Sequence, residues 1–269
     1  LRIAVIGAKG KMGKLHANIL ESFGHDVERL DIIDGPINYD QVTLRSDAAV
    51  IATPTPYHGM PTLMFLTEGK PVLVEKPLSH KIAQAEVMVD TAEKLGVSLS
   101  VGYLGRFNPA FAFIRASLYN GDLRIERAGP KPKGEYGGVA VDHASHDIDL
   151  LRWTFGKDLR INLRYDSNDQ AAYDFSVPKK NLTGTLEVRY LEPDSSSRIR
   201  LWEFQGEDNI IADLTNQRVW AQGVRQDIGP MVDQIELQAR AWEARIAGQT
   251  SDICTGPEGL EVLKLTLGV

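Results

Sequence analysis

The sequence predicts an α/β protein in two parts: a doubly wound parallel sheet at the N-terminal end, then an α/β domain on an open, mainly antiparallel sheet. Three observations predict it. Over the first hundred residues strand-like and helix-like segments alternate strictly, the pattern that right-handed crossovers between parallel strands produce. Past residue 120 the pattern becomes apolar–polar alternation with a period of two, as in antiparallel strands with one solvated face. A glycine-rich turn joins the first strand to the first helix. The change of pattern falls near Tyr103, so domains are expected at 1–103 and 104–269.

The elements follow in order. "RIAVIG" is a strand, and "KMGKLHANILESFG" a helix with Met12, Leu15, Ile19 and Phe23 at helical spacing and Gly24 as its stop. "VERLDIID" and "DAAVIATP" are strands, "HGMPTLMFLTEGK" a helix closing on Gly69, and "PVLVEKP" a strand. "SHKIAQAEVMVDTAEKLG" is a long helix that Ser79 is expected to cap, and "VSLSVGY" the next strand. Residues 121–138 read as a strand running into a Gly/Pro-rich loop, and 139–155 as a short helix. "LRINLRYD", "AAYDFSV", "LTGTLEVRYL", "RIRLWEFQG", "NIIADLT" and "RVWAQG" supply the antiparallel strands, and two amphipathic helices close the chain.

Composition narrows the function. A formal net charge of −6 gives no basic patch for nucleic acid or an anionic membrane, so neither partner is expected. No apolar run approaches the ~20 residues of a membrane span. A single cysteine, Cys254, excludes an internal disulfide and fits a reducing compartment. The chain opens directly on a strand, so no signal peptide is expected, and the expected location is cytoplasmic.

Three clusters carry candidate chemistry. In "VIGAKGKMG", Gly7, Gly10 and Gly13 stand between strand and helix, where glycines permit a tight turn, close approach to a pyrophosphate and close helix–strand packing. Free N–H groups at the helix start suit phosphate oxygens. The spacing, G-x-x-G-x-x-G, is one residue longer than usual, and a bare βα turn is the bland alternative. A carboxylate about twenty residues on would accept hydrogen bonds from a ribose and favour NAD over NADP. Asp34 is preferred because Ile32 and Ile33 still read as strand; Asp31 competes.

In "VLVEKPLS", Lys76 follows the strand by two residues, at the rim where doubly wound sheets gather ligands. Its ammonium suits a substrate hydroxyl, and Pro77 biases its backbone away from helix. The alternative is a surface lysine in a turn. In "GGVAVDHASHDIDLLRWTFG", Ala144, Ile148, Leu151 and Phe155 share an apolar stripe, while Asp142, His146 and Asp149 form a polar one. An imidazole beside a carboxylate is a suitable general base for an alcohol. His143 and Asp147 point elsewhere and read as bystanders. A solvated face and a His/Asp metal site are the competing readings; no metal is expected.

The glycine turn, "ATPTPYH" at 52–58, "EKP" at 75–77 and D-x-x-x-H at Asp142–His146, in that order, resemble the glucose–fructose oxidoreductase/inositol dehydrogenase (Gfo/Idh/MocA) family. The closing helices look similar too. The resemblance implies a Rossmann domain, a second α/β domain whose open sheet mediates a homo-oligomer (dimer or tetramer), and a bound NAD, with NADP as the alternative. It implies that Lys76, Asp142 and His146 surround a reacting carbinol. His146 would take the proton, Lys76 would polarise the oxygen and Asp142 would assist both. Cofactor positions would be Gly7, Lys9, Gly10, Met12, Gly13, Asp34, Thr53, Pro54, His58 and Glu75. "RFNPA" at 106–110 resembles UDP-N-acetylglucosamine 3-dehydrogenases, which implies Arg106 and Asn108 as substrate contacts, Arg106 on a diphosphate, and a sugar or nucleotide-sugar substrate oxidised at its C3 hydroxyl. Residues 35–47 leave little room for the usual βα unit, so one strand on the adenine side is expected to be abbreviated. The rival class is a nucleotide sensor on the same scaffold.

Overall fold

Strand β1 (Arg2–Ile6) is buried from Ile3 onward, and helix α1 (Lys11–Ser22) returns across the sheet to β2 (Asp26–Leu30). A short α2 (Tyr39–Arg45) leads to β3 (Ala48–Ile51), α3 (Gly59–Thr67) to β4 (Val72–Val74), and α4 (Ile82–Leu95) to β5 (Leu99–Val101). Every residue of β3, β4 and β5 is buried, because helices cover both faces of a parallel sheet. The computed structural model that shows this describes residues 1–132 and 137–269.

Several elements differ from those expected. The second strand ends at Leu30; Ile32–Asp34 form a 3-10 turn whose first residue is exposed. Asp31, not a strand residue, caps that turn through the Ile33 N–H. The buried face of α1 is Gly13, His16, Ala17 and Leu20, one position round from the expected stripe, and Leu15 is exposed. Gly13 sets that rotation: a Cβ there would lie 2.1 Å from the Gly7 carbonyl oxygen, so the helix packs its glycine, not its leucine, on the turn. Lys81, not Ser79, is the N-cap of α4; Ser79 Oγ accepts from the Lys81 N–H and donates to Gln84.

The second unit begins with α5 (Pro109–Arg115), capped by Asn108, and β6 (Gly121–Pro130). Part of the expected loop after β6, residues 133–136, lies outside the described residues. A π-turn over Ala140–Ala144 runs into α6 (Ser145–Phe155). Then come β7 (Arg160–Asp166), β8 (Gln170–Val177), β9 (Leu182–Leu191), β10 (Ile199–Gln205), β11 (Ile210–Asp213), β12 (Arg218–Ala221) and β13 (Val224–Arg225). Among the described residues these form an eight-stranded sheet in the order β13-β12-β11-β10-β6-β9-β8-β7. Only the β6–β9 pair is parallel. Inward residues such as Leu123, Ile125, Leu186, Trp202 and Phe204 are buried, while Arg124, Glu126, Glu203 and Arg189 pair off on the outer face.

The chain closes with α7 (Gln234–Ile246), β14 (Cys254–Thr255) and α8 (Gly256–Thr266). The first unit comprises Leu1–Tyr103 with Ile235–Leu263, and the second Leu104–Gln234 with Lys264–Val269. The expected division at residue 103 coincides with this boundary, but most of the closing segment returns to the first unit. There β14 pairs antiparallel with β5, making a sheet of order β14-β5-β4-β3-β1-β2 among the described residues. Such an order, 2-1-3-4-5 for the parallel strands, reverses winding between β1 and β3, which opens a crevice at their carboxyl ends. No strand lies beyond β2 among the described residues, as the short 35–47 segment leads one to expect. No described helix is long and apolar enough to cross a membrane.

Candidate active site

The β1–β3 crevice carries the candidates of the first unit. Gly7 turns the chain with φ +85°, and a Cβ on it would strike the Ala52 carbonyl at 2.6 Å. Gly7 and Gly13 are therefore fixed by protein packing. Gly10 is less constrained: a Cβ there would lie 3.2 Å from the Gly7 carbonyl oxygen, a contact that a shift of a few tenths of an ångström relieves. It is the N-cap of α1 and supplies no side-chain acceptor, so the first N–H groups of this three-turn helix are left for a ligand. Beside them lies a cavity of about 560 Å³, within the size range of small-molecule sites. Its walls include Gly7, Lys9, Gly10, Asp31, Thr53 and Pro54. Ile32, Ile33, Tyr57 and Met60 give it an apolar, exposed rim.

Asp31 enters this wall and Asp34 does not. Asp31 Oδ2 accepts the Lys9 N–H at 2.9 Å, tying the end of β2 to the glycine turn. Asp34 pairs instead with the Lys9 ammonium. The reason for preferring Asp34, a strand continuing through Ile33, fails with the 3-10 turn. The buried Thr53 hydroxyl oxygen has no hydrogen-bond partner among the described residues. Open helix N–H groups, a carboxylate at the strand end, an orphaned hydroxyl and an apolar rim are together what a dinucleotide needs, so the residues fit such a group.

Other expected cofactor residues hold the frame. His58 presents Nε2 to the Thr53 carbonyl at 2.9 Å and Nδ1 to the Pro77 carbonyl at 3.0 Å. Burial is the main influence on it and lowers its pKa; hydrogen bonds to those carbonyls and the Glu75 carboxylate only partly offset this. Glu75 is buried; its Oε1 meets His16 Nε2 at 2.7 Å and its Oε2 accepts the Lys76 N–H. His16 was missed from the sequence, where a helix histidine carries no sign of a carboxylate 59 positions away. Lys76 itself follows β4, half-buried, with a cis peptide to Pro77. Met12 and Gly13 are on α1, outside the cavity wall.

In the second unit the π-turn and α6 carry the other candidates. Along residues 139–151 every position is buried except Asp142, His143 and His146. A helix face that solvent merely covers would expose its other acids too. Asp147 and Asp149 are instead fully buried, each on an arginine: Asp147 with Arg127 and the Trp202 indole N–H, Asp149 with Arg106. Asp142 accepts the Tyr190 hydroxyl at 3.3 Å and lies 3.6 Å from His143 Nε2. His143 stacks edge-on against Tyr190 with ring centroids 5.0 Å apart, so it belongs to this cluster and is not the bystander its wheel position suggests.

Arg106 and Asn108 do not serve as the open substrate contacts expected of them. The Arg106 guanidinium is buried against Asp149 and lies 5.2 Å from the Trp153 ring centre. Asn108 spends Oδ1 on the Ala110 and Phe111 N–H groups and Nδ2 on the Leu214 carbonyl. Helix capping and core pairing explain both. Among the described residues no three His, Cys, Asp or Glu side chains group as metal ligands.

A Gly-turn crevice at the switch point between β1 and β3 is where doubly wound α/β proteins bind nucleotides. Residues 37–103 match the sequence profile described as "Oxidoreductase family, NAD-binding Rossmann fold", GFO_IDH_MocA. Among curated relatives, scyllo-inositol 2-dehydrogenase (NAD(+)) of Bacillus subtilis is 30% identical over 124 residues, 42% of this chain and 36% of that one. UDP-N-acetylglucosamine 3-dehydrogenase of Acidithiobacillus ferrooxidans is 26% identical over 166 residues, 56% of this chain and 53% of that one. The chain thus spans between about a third and just over half of these relatives. A solved structure of the Acidithiobacillus ferrooxidans UDP-N-acetylglucosamine 3-dehydrogenase shares the fold, with TM-score 0.82 at 22% identity over 99% of this chain and 95% of that one.

Proposed function

We propose that the chain is an NAD-dependent dehydrogenase acting on a secondary alcohol of a sugar or nucleotide-sugar. The observation that carries this reading is the crevice where Asp31 and Thr53 stand in the wall beside the open start of α1. Asp31 is the ribose ligand in this reading and disfavours a 2′-phosphate by charge. Gly10 lets the backbone approach the pyrophosphate, and the rim of Ile32, Ile33, Tyr57 and Met60 suits an adenine ring. When bound, the dinucleotide supplies the hydride acceptor.

The chain's own residues handle the proton. Lys76 Nζ donates a hydrogen bond to the carbinol oxygen and stabilises negative charge developing there. The imidazole of His146 takes the hydroxyl proton, a contribution of roughly 10²–10⁴-fold for a positioned base. Asp142 assists both. These roles come from the family resemblance of EKP and D-x-x-x-H, and the escape of Asp142 and His146 from an otherwise buried helix supports them. UDP-N-acetylglucosamine, oxidised at C3, is the favoured substrate. Association of copies through the outer face of the eight-stranded sheet, in the cytoplasm, completes the proposal.

The test is the absorbance of reduced nicotinamide, with NAD⁺ and NADP⁺ each offered UDP-N-acetylglucosamine, myo-inositol and free hexoses. Reduction of NAD⁺ by the nucleotide sugar is the expected result. Reduction by inositol or a hexose alone would keep the chemistry and replace the substrate. Cofactor binding without reduction by any alcohol would overturn the dehydrogenase reading in favour of a sensor.

A further inference from the structure

Arg200 on β10 stands directly opposite Arg127 on β6. Residues paired across strands point to the same face, and two like charges so placed repel. Arg127 is answered by Asp147, which also accepts the Trp202 indole N–H at 3.0 Å. Arg200 is only partly accessible and has no ion pair among the described residues. Arg127 first, then burial, with Arg198 adding to both, bring its pKa down to about 10, against the opposing pull of Asp147 and Asp142. It stays charged at neutral pH, in a place that withholds an anion from it.

A second arginine stands close by. Arg198, two residues earlier and exposed, also forms no ion pair among the described residues. Its Nη1 is 3.6 Å, and His143 Cε1 3.3 Å, from the point where a Cβ on Gly129 would stand. The bare glycine thus has the Arg198 guanidinium and the ring of His143, a member of the Asp142–His143–Tyr190 cluster, close on either side. A purely structural arginine in this row would carry its own carboxylate, as Arg127 does.

We propose that Arg200, with Arg198 at its mouth, binds an oxyanion carried by the substrate, a phosphoryl or carboxylate group attached to the sugar. The planar fork of a guanidinium matches both groups. This assigns to the arginine pair the anion recognition that the buried Arg106 cannot give. The word "substrate" rests on the dehydrogenase reading; the anion site does not.

The experiment is calorimetric titration of the whole chain with four probes: UDP-N-acetylglucosamine, glucuronate, N-acetylglucosamine and myo-inositol. Wild type is expected to bind at least one charged probe more tightly than the neutral ones. Arg200→Gln should weaken that probe tenfold or more and Arg198→Gln less, with NADH binding unchanged by fluorescence. Its thermal midpoint should hold or rise, since a repulsion is removed; a purely structural role would lower it. Loss of the nucleotide sugar alone identifies a phosphoryl group, and loss of glucuronate alone a carboxylate. Unchanged affinity for both in the double variant, or no preference for charge in wild type, overturns the site. If Arg200→Gln does not fold, a structural role is shown for that residue, and unchanged binding in the exposed Arg198→Gln variant completes the refutation. Oxyanion binding without hydride transfer would keep the site while removing the dehydrogenase.

Discussion

Arg106 and Asp149 form a two-point ion pair inside the second unit, with Nη2 2.7 Å from Oδ1 and Nε 3.0 Å from Oδ2. Their side chains retain 2% and 0% of their accessible surface. Breaking such a pair from one side strands a buried charge, which costs about 3–5 kcal/mol, whereas replacing both partners with apolar groups is often near neutral. Arg106→Met should therefore shift the urea midpoint strongly downward, and Arg106→Met/Asp149→Leu should recover most of the loss. A variant Arg106→Met with native stability and weakened nucleotide-sugar binding would instead return this arginine to the substrate.

This pair also shows what the sequence can and cannot disclose. "RFNPA" has a recognisable order of residue types, but type does not say which carboxylate 43 positions away will claim the arginine. Strands β3, β4 and β5 were legible because burial on both faces forces continuous apolar runs. Of the polar stripe read at Asp142, His146 and Asp149, the first two are half-buried while Asp149 is fully buried on Arg106, which spacing alone does not disclose. Leu15 was misread because a glycine two positions earlier packs closer than any side chain, rotating α1. Asp31 ranked second to Asp34, and Arg200 was hidden, for a related reason: one depends on where a strand gives way to a 3-10 turn, the other on pairing register between distant strands.

The two helix-side glycines of the turn should fail differently. A Cβ on Gly13 would lie 2.1 Å from backbone oxygen, so Gly13→Ala must shift α1 and should cost on the order of 1–3 kcal/mol, the usual penalty of overpacking. Gly10→Ala meets nothing closer than 3.2 Å and should keep nearly native stability while weakening NADH binding. Thermal melts with and without NADH separate the two effects. Equal destabilisation by both substitutions would contradict the assignment of Gly10 to the ligand.

Asp31 and Asp34 make a paired test of cofactor choice. Asp31→Asn removes the carboxylate that faces the crevice, so NADH affinity should fall roughly tenfold, a loss comparable to one charge-assisted hydrogen bond, and NADPH should lose less. Asp34→Asn removes only an exposed partner of Lys9, and exposed pairs contribute about 0–1 kcal/mol. Fluorescence titration of both nucleotides with both variants gives the answer. A larger effect at Asp34 would restore the reading made from the strand pattern.

The proton-handling roles predict a clean separation of binding from chemistry. His146→Ala should lower kcat by about 10²–10⁴-fold and leave NADH affinity within a factor of two. Lys76→Ala should lower kcat and raise KM, because one group both polarises and orients the alcohol. Steady-state kinetics on whichever alcohol reduces NAD⁺ reads both. Turnover within threefold of wild type in both variants would remove them from the mechanism.

His58 predicts how stability depends on pH. Its two nitrogens face two carbonyl oxygens, of Thr53 and Pro77, and a neutral imidazole has one N–H to give. Protonation would satisfy both, yet burial outweighs those hydrogen bonds and keeps the folded-state pKa below its ordinary value. The unfolded chain takes up this proton near the unperturbed value of about 6.5. Below that pH the unfolded state binds more protons than the folded one, so stability must fall as the solution is acidified, until the native imidazole itself protonates. At pH 7.5 the effect is absent. His58→Asn should be less stable at neutral pH, having lost contacts to two loops, but its urea midpoint should decline less steeply between pH 7 and pH 5 than that of wild type. The difference between the two slopes isolates this group from the carboxylates, which titrate in both proteins. Parallel slopes would mean that His58 takes up its proton at the same pH in the folded and the unfolded chain, and a steeper decline in the variant would mean that the folded chain holds the proton more tightly, donating to Thr53 and Pro77 at once.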